Sequence, residues 1–180
     1  MALNDAHTPQ TEAQAPIELN AYDHGWPATF EAERTLLEAV LAPWLAGRIE
    51  HIGSTAVPGL VAKPVIDIMA PVQSLESSRA AIEAAAAAGY VYFPYKPDLM
   101  HWFCKPSPAR RTHHLHLVPT GSPLWHQRLA FRDALRADPA LAAEYAAIKA
   151  RLAEQFRLDR EAYTEGKTPF IDRVLARPLG

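Results

Sequence analysis

The sequence is poor in cysteine, in long apolar runs and in excess charge of either sign. Cys104 is the only cysteine among 180 residues, which excludes an intramolecular disulfide and a cysteine-based zinc cluster and is typical of a reducing compartment. No apolar run approaches the roughly 18 residues of a membrane-spanning helix, so no membrane partner is expected. The formal net charge of -2 provides no global basic field. Nucleic acid is therefore not expected as a partner, and any polyanion must bind a local basic patch.

The first residues also lack the basic and apolar segments of a secretory signal, which predicts a cytoplasmic protein. Residues 1–16 show no apolar periodicity and are predicted to be a disordered tail. Hydrophobic residues make up 49% of the chain and charged residues 21%, as in an ordinary globular protein. We therefore expect residues 17–180 to form a single domain, because this length suits one hydrophobic core.

The spacing of apolar residues predicts a first half of strands with interposed helices and a second half of helices alone. Helices are predicted from Pro27 to about residue 42 and over residues 77–88, 125–136, 140–156 and 160–175. Strands are predicted over residues 48–52, 64–70, 90–93, 101–104 and 112–118. This order of elements indicates an α+β or α/β domain.

A Gly-Ser turn and one acidic residue are the first candidates for a functional site. Gly53 and Ser54 follow the first predicted strand, where backbone amides and a hydroxyl can bind phosphate, although ordinary turn formation is an alternative. Asp67 interrupts an otherwise apolar strand. A buried carboxylate needs a partner, so Asp67 either binds a metal, pairs with Lys63 or an arginine, or ties down the Gly53 turn.

Two histidines and three arginines extend the candidate site. His114 and His116 alternate with leucines in a strand and therefore share one face, where they can bind a metal with Asp67, bind phosphate or act as a general base. Ordinary hydrogen-bonded sheet residues are the alternative. Helical spacing aligns three guanidinium groups into a stripe that suits either a phosphate clamp or a solvated face: Arg128, Arg132 and Arg136. Lys149 and Lys167, polar positions within later helices, give little signal by themselves.

Several segments together resemble the GrpB family, over roughly residues 17–176. The resemblance is carried by residues 17–23, 49–60, 63–68, 114–118, 131–136 and 163–167. It implies an α+β, nucleotidyltransferase-like fold with a mixed β-sheet flanked by helices and a helical C-terminal half. Some members look like a module fused to dephospho-CoA kinase, which implies a nucleotide or coenzyme context.

The resemblance also implies roles for individual residues. Gly53 and Ser54 match the phosphate-binding Gly-Ser pair of the nucleotidyltransferase superfamily, and Asp67 matches its first metal-binding acid. Met69 stands where a second acid is expected, and His114 or His116 takes the place of the third. A single carboxylate makes a poor site for Mg²⁺, whereas Mn²⁺ or Zn²⁺ suits a carboxylate with two imidazoles.

The leading hypothesis is a nucleotidyltransferase-like protein that binds a nucleotide or another phosphorylated small molecule and transfers a nucleotidyl group to a small acceptor. Asp67 and His116 are the predicted catalytic residues, and Asp67, His114 and His116 the predicted ligands of a divalent metal (Mg, Mn or Zn). The predicted phosphate-binding residues are Gly53, Ser54, Lys63, Arg132 and Arg136. No organic cofactor is predicted. Met69 motivates the first alternative, a non-catalytic nucleotide-sensing or interaction module, and the metal ligands motivate the second, a metal-dependent hydrolase.

Overall fold

The computed structural model describes residues 16–176, so the predicted disordered tail lies outside the described residues except for Pro16. Five strands are present: β1 (Glu50–Ile52), β2 (Ile66–Val72), β3 (Val91–Phe93), β4 (His101–Pro106) and β5 (Arg111–Pro119). The α-helices are α1 (Trp26–Leu41), α2 (Ala81–Ala87), α3 (Pro123–Ala137), α4 (Pro139–Gln155), α5 (Arg160–Gly166) and α6 (Thr168–Leu175). Short 3₁₀ helices cover Ala42–Trp44 and Ser54–Ala56.

The strands form one mixed sheet in the order β1-β2-β5-β4-β3. β2 and β5 are parallel, and the other neighbours pair antiparallel. In the β2–β5 ladder Asp67 lies beside His114, and Met69 lies beside His116. Residues paired across a ladder point to the same face of a sheet. The register therefore places Asp67 and both histidines on one face, with Met69 beside His116 on the same face.

The opposite face of the sheet carries the larger core and packs against α1 and α2. Leu37 and Leu41 of α1 and Ala81 and Ala85 of α2 are fully buried against it. The sheet contributes its other set of alternating residues, including Ile66, Ile68, Leu115 and Leu117. This alternation explains why β2 and β5 are recognisable from their sequence: one set of side chains builds the core, and the other set faces the site.

The face that carries Asp67 packs against the C-terminal helices. Leu124, Trp125 and Leu129 of α3 contact a second core cluster formed by Ile52, Met69, Met100, Trp102, Cys104 and Val118. A third cluster joins Leu135, Leu141, Tyr145, Phe170 and Val174 of the helices to Val57 and Leu60, which follow the Gly53 turn. The helical half is thereby fixed over both the sheet and the turn.

These observations confirm the predicted α+β class, with a mixed sheet flanked by helices and a helical C-terminal half. Two predicted boundaries are wrong. The helix expected over residues 77–88 begins only at Ala81. The helix expected over residues 160–175 is divided at Lys167, because Pro169 has no amide hydrogen to continue the helical bonding pattern of α5. Within residues 16–176, no helix combines the length and the apolarity that crossing a membrane requires.

Candidate functional site

Asp67, His114 and His116, which we call the Asp-His-His group, meet at the centre of the sheet. His114 Nδ1 lies 2.9 Å from Asp67 Oδ1, and His116 Nε2 lies 3.5 Å from the same oxygen. One donor atom from each residue lies within 4.8 Å of the other two. The Nε2 atoms of both histidines are buried and have no hydrogen-bond partner among residues 16–176. The donor types and spacing fit a transition-metal site with two imidazoles and one carboxylate.

Gly53 holds the Gly-Ser turn directly against this carboxylate. Its φ of +73° is a conformation that favours glycine. A Cβ atom added at Gly53 would lie 2.5 Å from Asp67 Oδ2, far inside van der Waals contact. Two separate requirements, backbone conformation and space, therefore select glycine at this position.

The protonation states of the group suit metal binding or proton transfer. Burial by itself raises the pKa of Asp67, but the interactions of its carboxylate with His114 and His116 hold it well below its usual range. Burial, assisted by the charge of Arg128, lowers the pKa of His116 to about 3. At neutral pH, Asp67 is therefore charged and His116 is a neutral imidazole, the form that binds metals and accepts protons.

Six cationic side chains lie near the Asp-His-His group or near one another. They come from the loop before β2, the start of β5 and the C-terminal helices, and we call them the cationic cluster: Lys63, Arg111, Arg128, Lys149, Arg160 and Lys167. The charges of Lys63, Arg128 and Lys167 interact with that of Asp67, those of Arg111 and Arg160 interact with Lys63, and that of Lys149 interacts with Lys63 and Lys167. Within residues 16–176, none of the six has a carboxylate oxygen within 4.0 Å. The Nε atom of Arg160 is buried without a hydrogen-bond partner in the same part of the chain. The positive charge of this cleft is therefore largely uncompensated.

The lysines of the cationic cluster lie close enough to lower one another's pKa values. The Nζ atoms of Lys63 and Lys167 lie 5.2 and 4.6 Å from the centroid of the Tyr163 ring. Burial, together with the charge of Lys63, lowers the pKa of Lys167 to about 8. Burial likewise lowers the pKa of Lys63. Depressed lysine pKa values are expected where positive charges are crowded and desolvated, and a bound anion relieves that cost.

Lys149 connects the cationic cluster to the Gly-Ser turn. Its Nζ atom lies 2.9 Å from Ser54 Oγ and also donates to the carbonyl oxygen of Val61. The side chain is almost completely buried, and burial, with the charges of Lys167 and Lys63, lowers its pKa to about 7. Lys149 thus fixes the hydroxyl that the sequence predicts to bind phosphate.

The structure brings together the predicted Gly53, Ser54, Lys63 and Asp-His-His group, whereas the guanidinium groups of Arg132 and Arg136 are held by other partners on β1 and at the end of the Ser54–Ala56 3₁₀ helix. Arg132 forms ion pairs with Glu50 at 2.7 Å and Asp133 at 2.8 Å. Arg136 donates from Nε to the carbonyl oxygen of Ala56 at 2.9 Å. Both arginines line a separate cavity of about 230 Å³ between α1, β1 and α3, whose lining does not include Asp67.

The length of α3 explains this separation. Eight residues of helix advance about 12 Å, so the two ends of the predicted arginine stripe lie over different parts of the sheet. Arg128 is the member whose charge interacts with Asp67. His51, next to the turn, lies on the opposite face of the sheet, stacked on Phe30 with ring centroids 4.6 Å apart.

Only Lys63 of the cationic cluster was assigned to the site from the sequence, and Arg128 was named only as a member of the arginine stripe. Lys149 carried an available signal, because it shares the buried face of α4 with Leu141, Tyr145 and Leu152. A lysine within an apolar helical stripe indicates a buried charge with a specific partner. Arg111, Arg160 and Lys167 offer no comparable local pattern, since only the packing of α5 and α6 against the other C-terminal helices brings them together.

The fold and site define an α+β protein with a mixed sheet and a cluster of cationic side chains near an Asp-His-His group. The chain belongs to the GrpB family, whose family model, described as GrpB protein, matches residues 16–177. It is 39% identical over 177 residues to a UPF0157 protein of Deinococcus radiodurans, which covers 98% of this chain and 88% of the relative. These similarities confirm the resemblance inferred from the motifs.

Two further comparisons bear on fold and context. The crystal structure of the conserved protein GrpB from Enterococcus faecalis matches with a TM-score of 0.78 at 31% identity, over 87% of this chain and 94% of that chain. A dephospho-CoA kinase of Mycolicibacterium paratuberculosis is 32% identical over 196 residues. That match covers 88% of this chain but only 45% of the kinase.

Proposed function

We propose that this protein binds a nucleotide or another phosphorylated small molecule in the cleft between the Asp67 face of the sheet and the C-terminal helices. The observation that carries this proposal is the cationic cluster. Three of its members interact electrostatically with Asp67, the other three interact with those lysines, and none of the six forms an ion pair within residues 16–176. Phosphate groups supply the missing negative charge, and guanidinium and ammonium groups are their usual partners. The similarity to part of a dephospho-CoA kinase supports a nucleotide context.

Within this proposal, Lys63, Arg128 and Lys167 bind the phosphate groups. Ser54 contributes its hydroxyl, which Lys149 orients through the 2.9 Å contact between Nζ and Oγ. Gly53 allows the backbone of the turn to lie close to the site, because a side chain at this position would collide with Asp67. Arg132 and Arg136 have no phosphate-binding role here, since their guanidinium groups are held at the separate cavity.

We include a divalent metal in the proposal, held by Asp67, His114 and His116. Their mutual distances and the unpartnered Nε2 atoms support a coordinated ion, and the ligand types favour Mn²⁺ or Zn²⁺ over Mg²⁺. When bound, such an ion would polarise a phosphoryl oxygen or acidify a water molecule.

For catalysis, we propose nucleotidyl transfer to a small acceptor, with Asp67 and His116 as catalytic residues. Both residues would act through the metal that they hold, which would polarise a phosphoryl oxygen or the attacking hydroxyl group, because a pKa of about 3 makes His116 itself a weak base at neutral pH. Met69 favours the alternative of a non-catalytic sensing or interaction module. Its side chain is completely buried in the apolar cluster beneath α3, so the site has no second carboxylate on β2. The ligand types of the Asp-His-His group support a third candidate, a metal-dependent hydrolase.

Thermal unfolding in the presence of phosphorylated compounds tests the binding proposal. ATP, GTP, pyrophosphate and coenzyme A precursors are each added with EDTA, Mg²⁺, Mn²⁺ or Zn²⁺. A ligand at 100 times its Kd adds about 2.7 kcal/mol of stability, which corresponds to an increase in Tm of roughly 5 to 10 °C for this size. The increase is expected to shrink in Lys63→Gln/Lys167→Gln. Arg151→Gln, which removes an exposed charge of α4, is expected to respond like the wild type.

Product analysis distinguishes the three candidates. Diphosphate released from a nucleoside triphosphate and lost in Ser54→Ala supports nucleotidyl transfer. Ligand binding without turnover supports the sensing module, whereas metal-dependent release of inorganic phosphate supports the hydrolase. Equal Tm increases in the double lysine variant and the wild type would contradict the proposed site.

A further inference from the structure

The sheet face that carries Asp67 continues to a group of exposed aromatic rings. Phe93 pairs with Trp102 in the β3–β4 ladder, and Trp102 pairs with His116 in the β4–β5 ladder, so all three point to the same face. Phe93 is 37% exposed, and Tyr95, which follows β3, is 41% exposed. Both ring centroids lie 6.1 Å from that of Trp102. We call Phe93 and Tyr95 the aromatic shelf.

Trp102 joins the aromatic shelf to the Asp-His-His group. Its ring centroid lies 5.0 Å from that of His114, whose Nδ1 atom contacts Asp67. Because Tyr95 and His114 lie 6.1 and 5.0 Å from Trp102, their rings are no more than about 11 Å apart. The shelf therefore lies within the reach of a molecule that also contacts the Asp-His-His group.

The aromatic shelf also borders the cationic cluster. The guanidinium carbon of Arg111 lies 5.2 Å from the centroid of the Trp102 ring. Arg128 interacts electrostatically with both Asp67 and Tyr95, so its guanidinium group lies within electrostatic range of the carboxylate and of the shelf. Apolar surface and uncompensated positive charge are thus adjacent. A ligand that complements both must carry a flat apolar part at one end and negative charge at the other.

The geometry points to a nucleobase on the aromatic shelf: the base of a nucleotide stacks on Phe93 and Tyr95 while its phosphates bind the cationic cluster. This inference rests on the proposed function and narrows it from phosphorylated small molecules to nucleotides. Aromatic side chains are the usual stacking partners of bases, and the arrangement accounts for the exposure of two large rings beside a polar site. Lys96, which is also exposed, adds a further positive charge beside the shelf: its Nζ atom lies 5.4 Å from the centroid of the Tyr95 ring.

Calorimetric titration with two probes tests the stacking role. ATP and inorganic tripolyphosphate carry comparable charge, but only ATP has a base. The wild type is expected to bind ATP about tenfold more tightly than tripolyphosphate, a difference typical of one stacked base. Tyr95→Leu and Phe93→Leu are expected to lose most of that preference and to keep the affinity for tripolyphosphate. Tyr95→Phe keeps the ring and is expected to behave like the wild type.

Leu36→Ala is the matched control, because Leu36 is 39% exposed on α1, which packs against the opposite face of the sheet. Equal affinity of the wild type for ATP and tripolyphosphate would overturn the stacking role and leave the proposed phosphate site intact. Binding of neither probe would overturn the proposed function and the stacking role together. The same variants are also compared with the wild type for oligomeric state. If the wild type is a dimer, and Tyr95→Leu or Phe93→Leu makes it a monomer without changing the preference for ATP, then a second copy of the chain occupies the shelf instead of a base.

Discussion

At the scale of single residues, Gly53 shows how a backbone position and a functional group depend on each other. Its positive φ is unfavourable for a residue with a Cβ atom, and the space that a Cβ atom would need is occupied by Asp67. The carboxylate is held in turn by His114. A change at Gly53 therefore acts on the site through Asp67 and not only through the turn.

Gly53→Ala is expected to reduce the free energy of unfolding by more than the 1–3 kcal/mol of backbone strain alone, because Asp67 must also move. Gly121→Ala is the matched control: Gly121 has the same φ of +73°, but nothing lies within 4 Å of its added Cβ atom. Urea denaturation of both variants measures the difference, and calorimetry with ATP measures the expected loss of binding in Gly53→Ala. Equal destabilisation of the two variants would show that the contact with Asp67 is unimportant.

At the scale of elements, the apolar stripe of α4 contains a buried lysine, and its burial opposes folding. Lys149 is buried among Leu141, Tyr145 and Leu152, and its pKa is lowered from about 10.5 to about 7. The unfolded chain therefore binds more protons than the folded protein between pH 7 and 10.5. Burial of Lys149 opposes folding most strongly below pH 7, and this cost decreases as the pH rises.

Lys149→Met removes this titration. The free energy of unfolding of the wild type, relative to that of the variant, is expected to rise by on the order of 3 kcal/mol between pH 7 and about 9.5. Urea denaturation at several pH values measures the difference. Lys96→Met, which removes an exposed lysine, is the control. For this variant, the difference in the free energy of unfolding from the wild type is expected not to change with pH. A pH-independent difference for Lys149→Met would show that Lys149 is not appreciably desolvated.

The elements also explain how much of the site was predictable. Asp67, His114 and His116 were predicted as a group because strand alternation places both histidines on one face and the family resemblance associates them with Asp67. The pairing of β2 with β5, which brings them together, was not predicted. The break between α5 and α6 was not predicted, although Pro169 marks it. The positions of Arg160 and Lys167 depend on how these short helices pack against α3 and α4, which periodicity does not encode. Arg132 and Arg136 were assigned to the site because helical spacing aligns them with Arg128 on α3. The alignment is correct, but the stripe extends beyond the site.

At the scale of the whole molecule, the protein combines a net charge of -2 with a strongly positive cleft. The cationic cluster contains six of the 18 lysines and arginines, so the 20 acidic residues dominate the remainder of the chain. This distribution agrees with the expectation of a local basic patch. It also couples the two parts of the proposed site, because a metal cation at Asp67 is repelled by the cationic cluster until a phosphate neutralises it.

Metal and phosphate are therefore expected to bind cooperatively. Saturating AMP should increase the affinity for Zn²⁺ about tenfold, within the usual range of coupling between two sites, and Zn²⁺ should increase the affinity for AMP by the same factor. Asp67→Asn should abolish this coupling and, in the presence of EDTA, should bind AMP more tightly than the wild type, because one negative charge is removed from the cleft. Calorimetric titration of each ligand, with and without the other, measures the coupling, its loss in Asp67→Asn and the affinity of that variant for AMP. Asp133→Asn is the control, because it removes a carboxylate that pairs with Arg132 away from Asp67. Weaker AMP binding by Asp67→Asn in EDTA would mean that Asp67 organises the phosphate site directly and does not act mainly through its charge.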